Sequence, residues 1–290
     1  MIRLIAIDMD GTLLSPDHTI SEMNKKTIRE AQAQGIEVVI ATGRSYLEAY
    51  EPVHEEGLDL SYICINGAEV RDNTGNLITG THLLDEDIHK VMAILESYEI
   101  DCQLFIDKTV YAKSIQVQVD TFIQLAEAAN LTPNVEDIRK EIESRVELGI
   151  VQIVDSFDPV LKDHQSEIYK ILGTSFNRDN LDVARAALNN IPSLAISSSG
   201  AGNLEITNVN AQKGIALTAL ARARNIPMEQ VMAIGDNYND LSMMERVGRS
   251  VAMGNAPEAI QEACDHITET NSNNGVSVAI QKVLQAQMSR

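Results

Sequence analysis

Residues 2–12 read Ile2-Arg3-Leu4-Ile5-Ala6-Ile7-Asp8-Met9-Asp10-Gly11-Thr12. A short apolar run that stops abruptly at acids is what a strand buried on both faces of a sheet requires. Gly11 lets the chain turn sharply away just after the two carboxylates. If the backbone stays extended to Asp10, positions i and i+2 face the same way and the two carboxylates converge. That convergence would fall beyond the carboxyl end of a strand, where open parallel sheets bind ligands. A lone Asp-x-Asp fits two solvated turn acids equally well, so the rest of the chain has to decide.

Outward from this strand, Ser21 caps a helix running to about Gln34, ended by Gly35. A second buried strand, IEVVIA (36–41), leads through Thr42-Gly43-Arg44 into another helix, and YICI (62–65) is a third strand before Asn66-Gly67. Strand–helix–strand units with right-handed crossovers give a parallel sheet covered by helices. The C-terminal part repeats this order: helix 211–224, strand VMAIG (231–235), helix 241–247, strand SVAMG (250–254), helix 256–264 and a closing helix from about Gly275. Pro257 suits the first turn of its helix.

The middle follows another grammar. Asp85 caps a helix with Ile88, Val91, Met92 and Leu95 on one face, and IDCQLFID with VYAKS forms a hairpin around Lys108-Thr109. Two or three amphipathic helices fall between 117 and 190, and SLAISSS with NLEIT makes a second antiparallel pair. Residues 147–155 fit strand or helix. The expected architecture is an α/β core with a Rossmann-like parallel sheet, built from 1–83 and 209–290, with an α+β unit over 84–208 inserted into it.

The 290 residues, 44% hydrophobic and 22% charged, are enough for two such cores. With four Phe, seven Tyr and no Trp, there is no aromatic platform for single-stranded nucleic acid. The 23 Lys and Arg against 42 Asp and Glu leave a net charge of −19, which repels nucleic acid and anionic membrane alike. A small anionic substrate would therefore need a local cation or a metal. No apolar run approaches the roughly 18 residues of a membrane span. Asp8 and Asp10 interrupt the apolar stretch that a signal peptide needs. Cys64, Cys102 and Cys264 form no CxxC, which suits a reducing cytoplasm and small buried side chains. The six histidines, His18, His54, His82, His89, His164 and His266, show no metal-ligand spacing.

Three further places carry chemistry. Gly235-Asp236-Asn237-Tyr238-Asn239-Asp240 again puts acids at a strand's end, and hard oxygen donors crowded in this way suit Mg²⁺; an Asx-rich turn capping helix 241–247 is the plain alternative. Thr42-Gly43 offers a hydroxyl and free N–H groups to an anion, or a simple helix cap. Lys213-Gly214 opens a helix where the macrodipole disfavours a cation, which hints at a local anion unless Lys213 is a surface lysine. Met243 and Met244 read as core. Asn66-Gly67 reads as a type I′ turn or a substrate-side group, and Arg44 as added positive potential or a surface ion pair.

Taken together, the order carboxylate pair, hydroxyl, cation, carboxylate resembles the four motifs of the haloacid dehalogenase superfamily of phosphohydrolases, in its Cof-type branch. They map onto Asp8–Leu13, Thr42-Gly43-Arg44, Lys213-Gly214 and Gly235–Asp240; Asn66-Gly67-Ala68 and Val251–Ala256 look similar too. The resemblance implies a phosphatase of small phosphorylated metabolites such as sugar phosphates. In it Asp8 is the nucleophile that forms an aspartyl-phosphate and Asp10 the general acid/base. Mg²⁺ is implied on the Asp8 carboxylate, the Asp10 backbone carbonyl and Asp236. The phosphoryl oxygens fall to the Met9 and Gly43 N–H groups, Thr42, Lys213 and Asn239, with Asp240 orienting Lys213 or a metal-bound water from behind. The insertion matches a larger, C2-type cap that sets leaving-group specificity. A phosphomutase of the same superfamily and a non-catalytic phosphosugar-binding protein remain alternatives. A receiver-like phosphoacceptor switch is disfavoured by Asp10 and by the long insertion.

Overall fold

The structure, a computed structural model, describes residues 1–128, 132–163, 167–198 and 202–288; His164 and Ser199 lie outside them. The chain divides into two compact units, Met1–Gly80 with Ala211–Arg290, and Thr81–Asn210. The N-terminal segment supplies β1 (Leu4–Ile7), β2 (Glu37–Ala41), β3 (Ser61–Cys64), β4 (Glu69–Arg71) and β5 (Leu77–Gly80). The inserted unit holds β6 (Asp101–Ile106), β7 (Thr109–Ala112), β8 (Val151–Ile153), β9 (Ile168–Thr174), β10 (Leu194–Ser197) and β11 (Asn203–Asn208). The C-terminal segment returns with β12 (Val231–Gly235), β13 (Arg249–Ala252) and β14 (His266–Ile267).

The first unit's sheet runs β14-β13-β12-β1-β2-β3-β4-β5. β1 is central and parallel to both neighbours, with Ala6 opposite Val39 on one side and Ala233 on the other. All four β1 residues are fully buried, and Leu4 and Ala6 pack with Val39, Ile63, Leu217 and Leu220. Each large apolar side chain so buried contributes about 1.5–3 kcal/mol, which holds the strand ends in place. The ladder continues to those ends: the N–H of Asp8 donates to the Ile234 carbonyl at 2.9 Å, that of Thr42 to Ile63 at 2.8 Å, and that of Met253 to Gly235 at 2.9 Å. Asp8, Thr42 and Asp236 thus emerge on one edge of one sheet.

The sheet is mixed at one side. β4 and β5 run antiparallel beyond β3. Asn66 and Gly67 form the β3–β4 turn with φ of 55° and 103°, the Ala68 N–H reaching the Ile65 carbonyl at 3.1 Å, as a type I′ turn requires. The helix after β2 starts at Tyr46, later than expected, because Ser45 and Glu48 form a capping box. Thr42, Gly43 and Arg44 therefore stay in a loop. The expected helix 241–247 shrinks to Leu241–Met244, since the chain turns back so that the Gly248 N–H can bond Met228. The expected helix 256–264 is Glu258–Glu262, and the last one is Gly275–Met288.

In the inserted unit the order is β10-β11-β9-β6-β7-β8, antiparallel except for β7 beside β8. Helices Asp85–Ser97 and Arg178–Leu188 bury Ile88, Val91, Leu95, Leu181 and Leu188 against this sheet. Asp85 lies in the first turn of its helix and the cap position is Leu84. Helices Ile115–Ala128, Val135–Glu147 and Asp158–Asp163 complete the unit, and 147–155 resolves into a helix end followed by β8.

β9 is a correction to the sequence reading, which allotted its stretch to helices. All seven of its residues are buried, although Lys170 interrupts the apolar pattern. The Lys170 ammonium lies 4.1 Å from the centre of the Phe105 ring and 3.7 Å from Glu205. A cation satisfied only by residues distant in sequence disguises a central strand as an amphipathic segment. Among the described residues no helix is long and apolar enough to cross a membrane.

Candidate active site

Asp8 closes β1 with extended backbone, and the chain then winds into one tight turn over Met9–Leu13. Gly11 sits at φ +79°, a conformation open to glycine at little cost. A Cβ there would come 2.4 Å from the Asp236 Oδ2 atom, so the same glycine also admits the second acidic loop. The backbone, expected to stay extended to Asp10, winds into this turn instead. Asp8 points into the protein, 5% exposed, whereas the Asp10 side chain is half exposed and bound to Arg44.

Two further carboxylates are gathered with Asp8 from the loop that follows β12. Oxygens of Asp8, Asp236 and Asp240 all lie within 4.8 Å of one another. Lys213, fully buried as the first residue of helix Lys213–Ala223, joins two of them: Nζ donates to Asp8 Oδ1 at 2.6 Å and to Asp240 Oδ1 at 2.7 Å. The other Asp240 oxygen accepts the N–H groups of Asp236 and Asn237, each at 3.0 Å. Both oxygens being engaged, Asp240 acts as a strut for Lys213 and the loop. Asp236 is held by the Thr12 hydroxyl, which donates to Oδ1 at 3.0 Å.

Gly214 explains how Lys213 reaches so deep. A Cβ on it would stand 1.8 Å from the Ser242 carbonyl oxygen, so only glycine lets this helix start meet the chain beyond Asp240. The Gly214 N–H also donates to Ser242 Oγ at 3.0 Å.

The electrostatics follow from this crowding. Burial raises the Asp8 carboxyl well above its usual range, Asp240 and Asp236 add to the rise, and Lys213 offsets part of it. Asp236 is raised by burial and by Asp240. Burial pulls Lys213 down, but Asp240 and Asp8 outweigh it and hold the ammonium above its ordinary value. Three carboxylates thus share one cation, and the oxygen donors fit a small hard divalent ion: Asp8 and Asp236 have oxygens to spare for it.

Across the edge, Thr42 is buried and its Oγ accepts the Arg44 N–H at 3.1 Å. Gly43 faces Asn66, whose Oδ1 would lie 3.2 Å from a Cβ at that position. The same Asn66 oxygen accepts from Asn239 Nδ2 at 3.1 Å, and the Asn66 N–H donates to the Thr42 carbonyl at 2.9 Å. Asn66 therefore bridges the Thr42–Gly43 loop and the Asp236–Asp240 loop. The Met9 side chain is buried in the core beside Asp8.

Beyond the residues singled out for catalysis, the structure adds Thr12, Arg44, Asn66 and Asn255. Asn255 Nδ2 donates to the Gly11 carbonyl at 2.8 Å, and its Oδ1 accepts the Asn271 N–H at 2.9 Å. Asn271 Nδ2 in turn donates to the Leu14 carbonyl at 2.9 Å. The sequence already offers Asn66 as a substrate-side group and Arg44 as added positive potential or an ion pair, while Thr12 and Asn255 fall inside the Asp8–Leu13 and Val251–Ala256 stretches without a role of their own.

A Rossmann-like sheet with a buried acid at the end of its first strand, a lysine on it and a second acidic loop alongside defines a class of hydrolases. The sequence matches the haloacid dehalogenase-like hydrolases over residues 5–280, and the chain belongs to that family. It is 32% identical to the phosphatase YwpJ of Bacillus subtilis over 289 residues, covering 98% of this chain and all of that protein. It is also 32% identical to the 5-amino-6-(5-phospho-D-ribitylamino)uracil phosphatase YwtE of the same organism, over 99% of both chains. The solved structure of a haloacid dehalogenase-like hydrolase from B. subtilis superposes with a TM-score of 0.81 at 32% identity, covering 97% of this chain and 99% of that one. The protein is an enzyme, a hydrolase of phosphoric monoesters.

Proposed function

We propose that this enzyme hydrolyses phosphate monoesters of sugars and related polyols, with Mg²⁺, through an aspartyl-phosphate on Asp8. The observation that carries the reading is the placement of Asp8: buried at the end of β1, bonded to the cation Lys213, with Asp236 in reach and Thr42 on the same edge.

Mg²⁺ would be held by the Asp8 and Asp236 carboxylates with the Asp10 backbone carbonyl, and when bound it offsets the negative charge that opposes a phosphoryl dianion. An oxygen of Asp8 attacks phosphorus while the bond to the leaving alcohol breaks. Asp10 gives that alcohol its proton, then takes one from the water that attacks the aspartyl-phosphate and restores Asp8. Lys213, the Thr42 hydroxyl, the Met9 and Gly43 N–H groups and the Asn239 amide hold the phosphoryl oxygens, and Asp240 keeps Lys213 aimed. The unit Thr81–Asn210 serves as the cap that selects the leaving group. Support for a polyol comes from YwtE, whose named substrate carries its phosphate on a ribityl chain.

The experiment is phosphate release from p-nitrophenyl phosphate and a panel of sugar and polyol phosphates, with Mg²⁺ or EDTA, for the wild type and Asp8→Asn. Release that needs the metal and falls at least about 10³-fold in Asp8→Asn upholds the reading. Interconversion of sugar-phosphate isomers without release would replace it with a mutase.

A further inference from the structure

The Arg44 guanidinium takes both oxygens of the Asp10 carboxylate. Nη2 donates to Oδ1 at 2.6 Å and Nε to Oδ2 at 2.9 Å. Such a fork fixes the plane of the carboxylate as well as its position, and each oxygen keeps a further lone pair for a proton. As a contribution to stability the pair is minor, since its members are 28% and 50% exposed and exposed ion pairs are worth about 0–1 kcal/mol.

Arg44 is itself tied down at several points. Its N–H donates to the Thr42 hydroxyl oxygen at 3.1 Å, its carbonyl accepts the Ile65 N–H at 2.9 Å, and Nη1 donates to the Glu48 carbonyl at 3.3 Å. One residue therefore joins the Thr42 hydroxyl to the Asp10 carboxylate across two loops distant in sequence.

We propose that Arg44 is the positioning residue for Asp10: its fork aims the acid/base carboxylate and couples that aim to the Thr42–Gly43 loop. Seating a phosphoryl group against Thr42 and presenting Asp10 to the leaving oxygen then become one event. The inference rests on the reading of Asp10 as acid/base. Arg44 transfers no proton. The proton passes from Asp10 to the leaving alcohol as its bond to phosphorus breaks, and from water to Asp10 as the aspartyl-phosphate is cleaved.

The test uses single turnovers with enzyme in excess over substrate, so that only the first transfer is read, together with steady-state kinetics for KM. p-Nitrophenolate leaves without a proton, whereas the alkoxide of sorbitol 6-phosphate needs one. General acid catalysis is worth roughly 10²–10⁴-fold. In Arg44→Ala we expect sorbitol 6-phosphate to react about 10²-fold more slowly, p-nitrophenyl phosphate to change less than about threefold, and KM to hold. Arg44→Lys restores the charge without the fork and should leave the alkyl substrate slow. In an Asp10→Asn background, Arg44→Ala should add no further selective loss, which a general disturbance of the fold would not reproduce.

Equal losses on both substrates with a raised KM would make Arg44 a phosphoryl ligand and overturn the proposal. Wild-type rates in Arg44→Ala, or full rescue by lysine, would overturn it as well. If Asp10→Asn slows the alkyl substrate no more than the aryl one, the acid/base reading fails; if Asp10→Asn slows the alkyl substrate selectively and Arg44→Ala does not, only the role of Arg44 fails.

Discussion

Lys213 Nζ stands 2.6 Å from Asp8 Oδ1, with no surface left to solvent on the lysine side chain. Asp240 completes the arrangement from the other side at 2.7 Å. Removing one member of a buried ion pair usually costs about 3–5 kcal/mol, because the remaining charge is left uncompensated. Lys213→Met leaves Asp8, Asp236 and Asp240 with no cation among them. It is expected to lower metal-free stability by about that amount, and chemical denaturation with EDTA measures it. A loss under about 1 kcal/mol would mean that the carboxylates shed their charge by taking up protons.

Mg²⁺ should stabilise the fold wherever it binds the folded chain alone. At a free concentration 100 times its Kd the gain is about 2.7 kcal/mol. Thermal melts with and without Mg²⁺ should show this shift in the wild type and lose most of it in Asp236→Ala. An undiminished shift in the variant would place the ion elsewhere.

Gly11→Ala tests the turn after the nucleophile. The residue sits at φ +79°, and the new Cβ would lie 2.4 Å from Asp236 Oδ2. A left-handed alanine costs about 1–2 kcal/mol, and the contact displaces Asp236. The variant should fold with a lower melting temperature and show weaker Mg²⁺ activation. Wild-type metal titration would show that the Asp236 loop yields freely.

Asn255→Ala removes the amide that links the Gly11 carbonyl to Asn271. The side chain is exposed, so the stability change should be about 1 kcal/mol or less. The activity loss should be larger in proportion, because the loop that carries Asp10 loses its anchor. A kcat that follows stability alone would reduce Asn255 to a loop fastener.

Asp72 gives a pH signature away from the site. Its carboxylate accepts the Thr74 hydroxyl at 2.7 Å and the N–H groups of Asn76 and Thr74, each at 2.9 Å, which hold it down at about 2 instead of 3.8. The stability this confers is complete above the ordinary carboxylate value and is lost as the pH falls towards about 2. An NMR titration of the Asp72 carboxyl carbon should find the low midpoint. Asp72→Ala should flatten the stability curve across that window.

The parallel half of the sheet was legible in sequence because each strand is a short apolar run cut off by polar residues, and both signals are local. Asp8, Thr42 and Asp236 were legible for the same reason, since each follows such a run directly. β9 was hidden because Lys170 is satisfied by Phe105 and Glu205, neither of which is near it in sequence. The late start of the helix after β2 turned on a capping box that outcompeted Thr42-Gly43.

The sequence by itself determined that acids, a hydroxyl and a lysine would meet at one sheet edge, since strand ends and helix starts are set by short-range chemistry. Only the tertiary structure decided how they pair there. Gly11 turns Asp10 out towards Arg44, Gly214 lets Lys213 sink between Asp8 and Asp240, and Asn66 joins two loops that are 173 residues apart. Those choices depend on close approaches between distant backbone segments, and such contacts exist only once the sheet has formed.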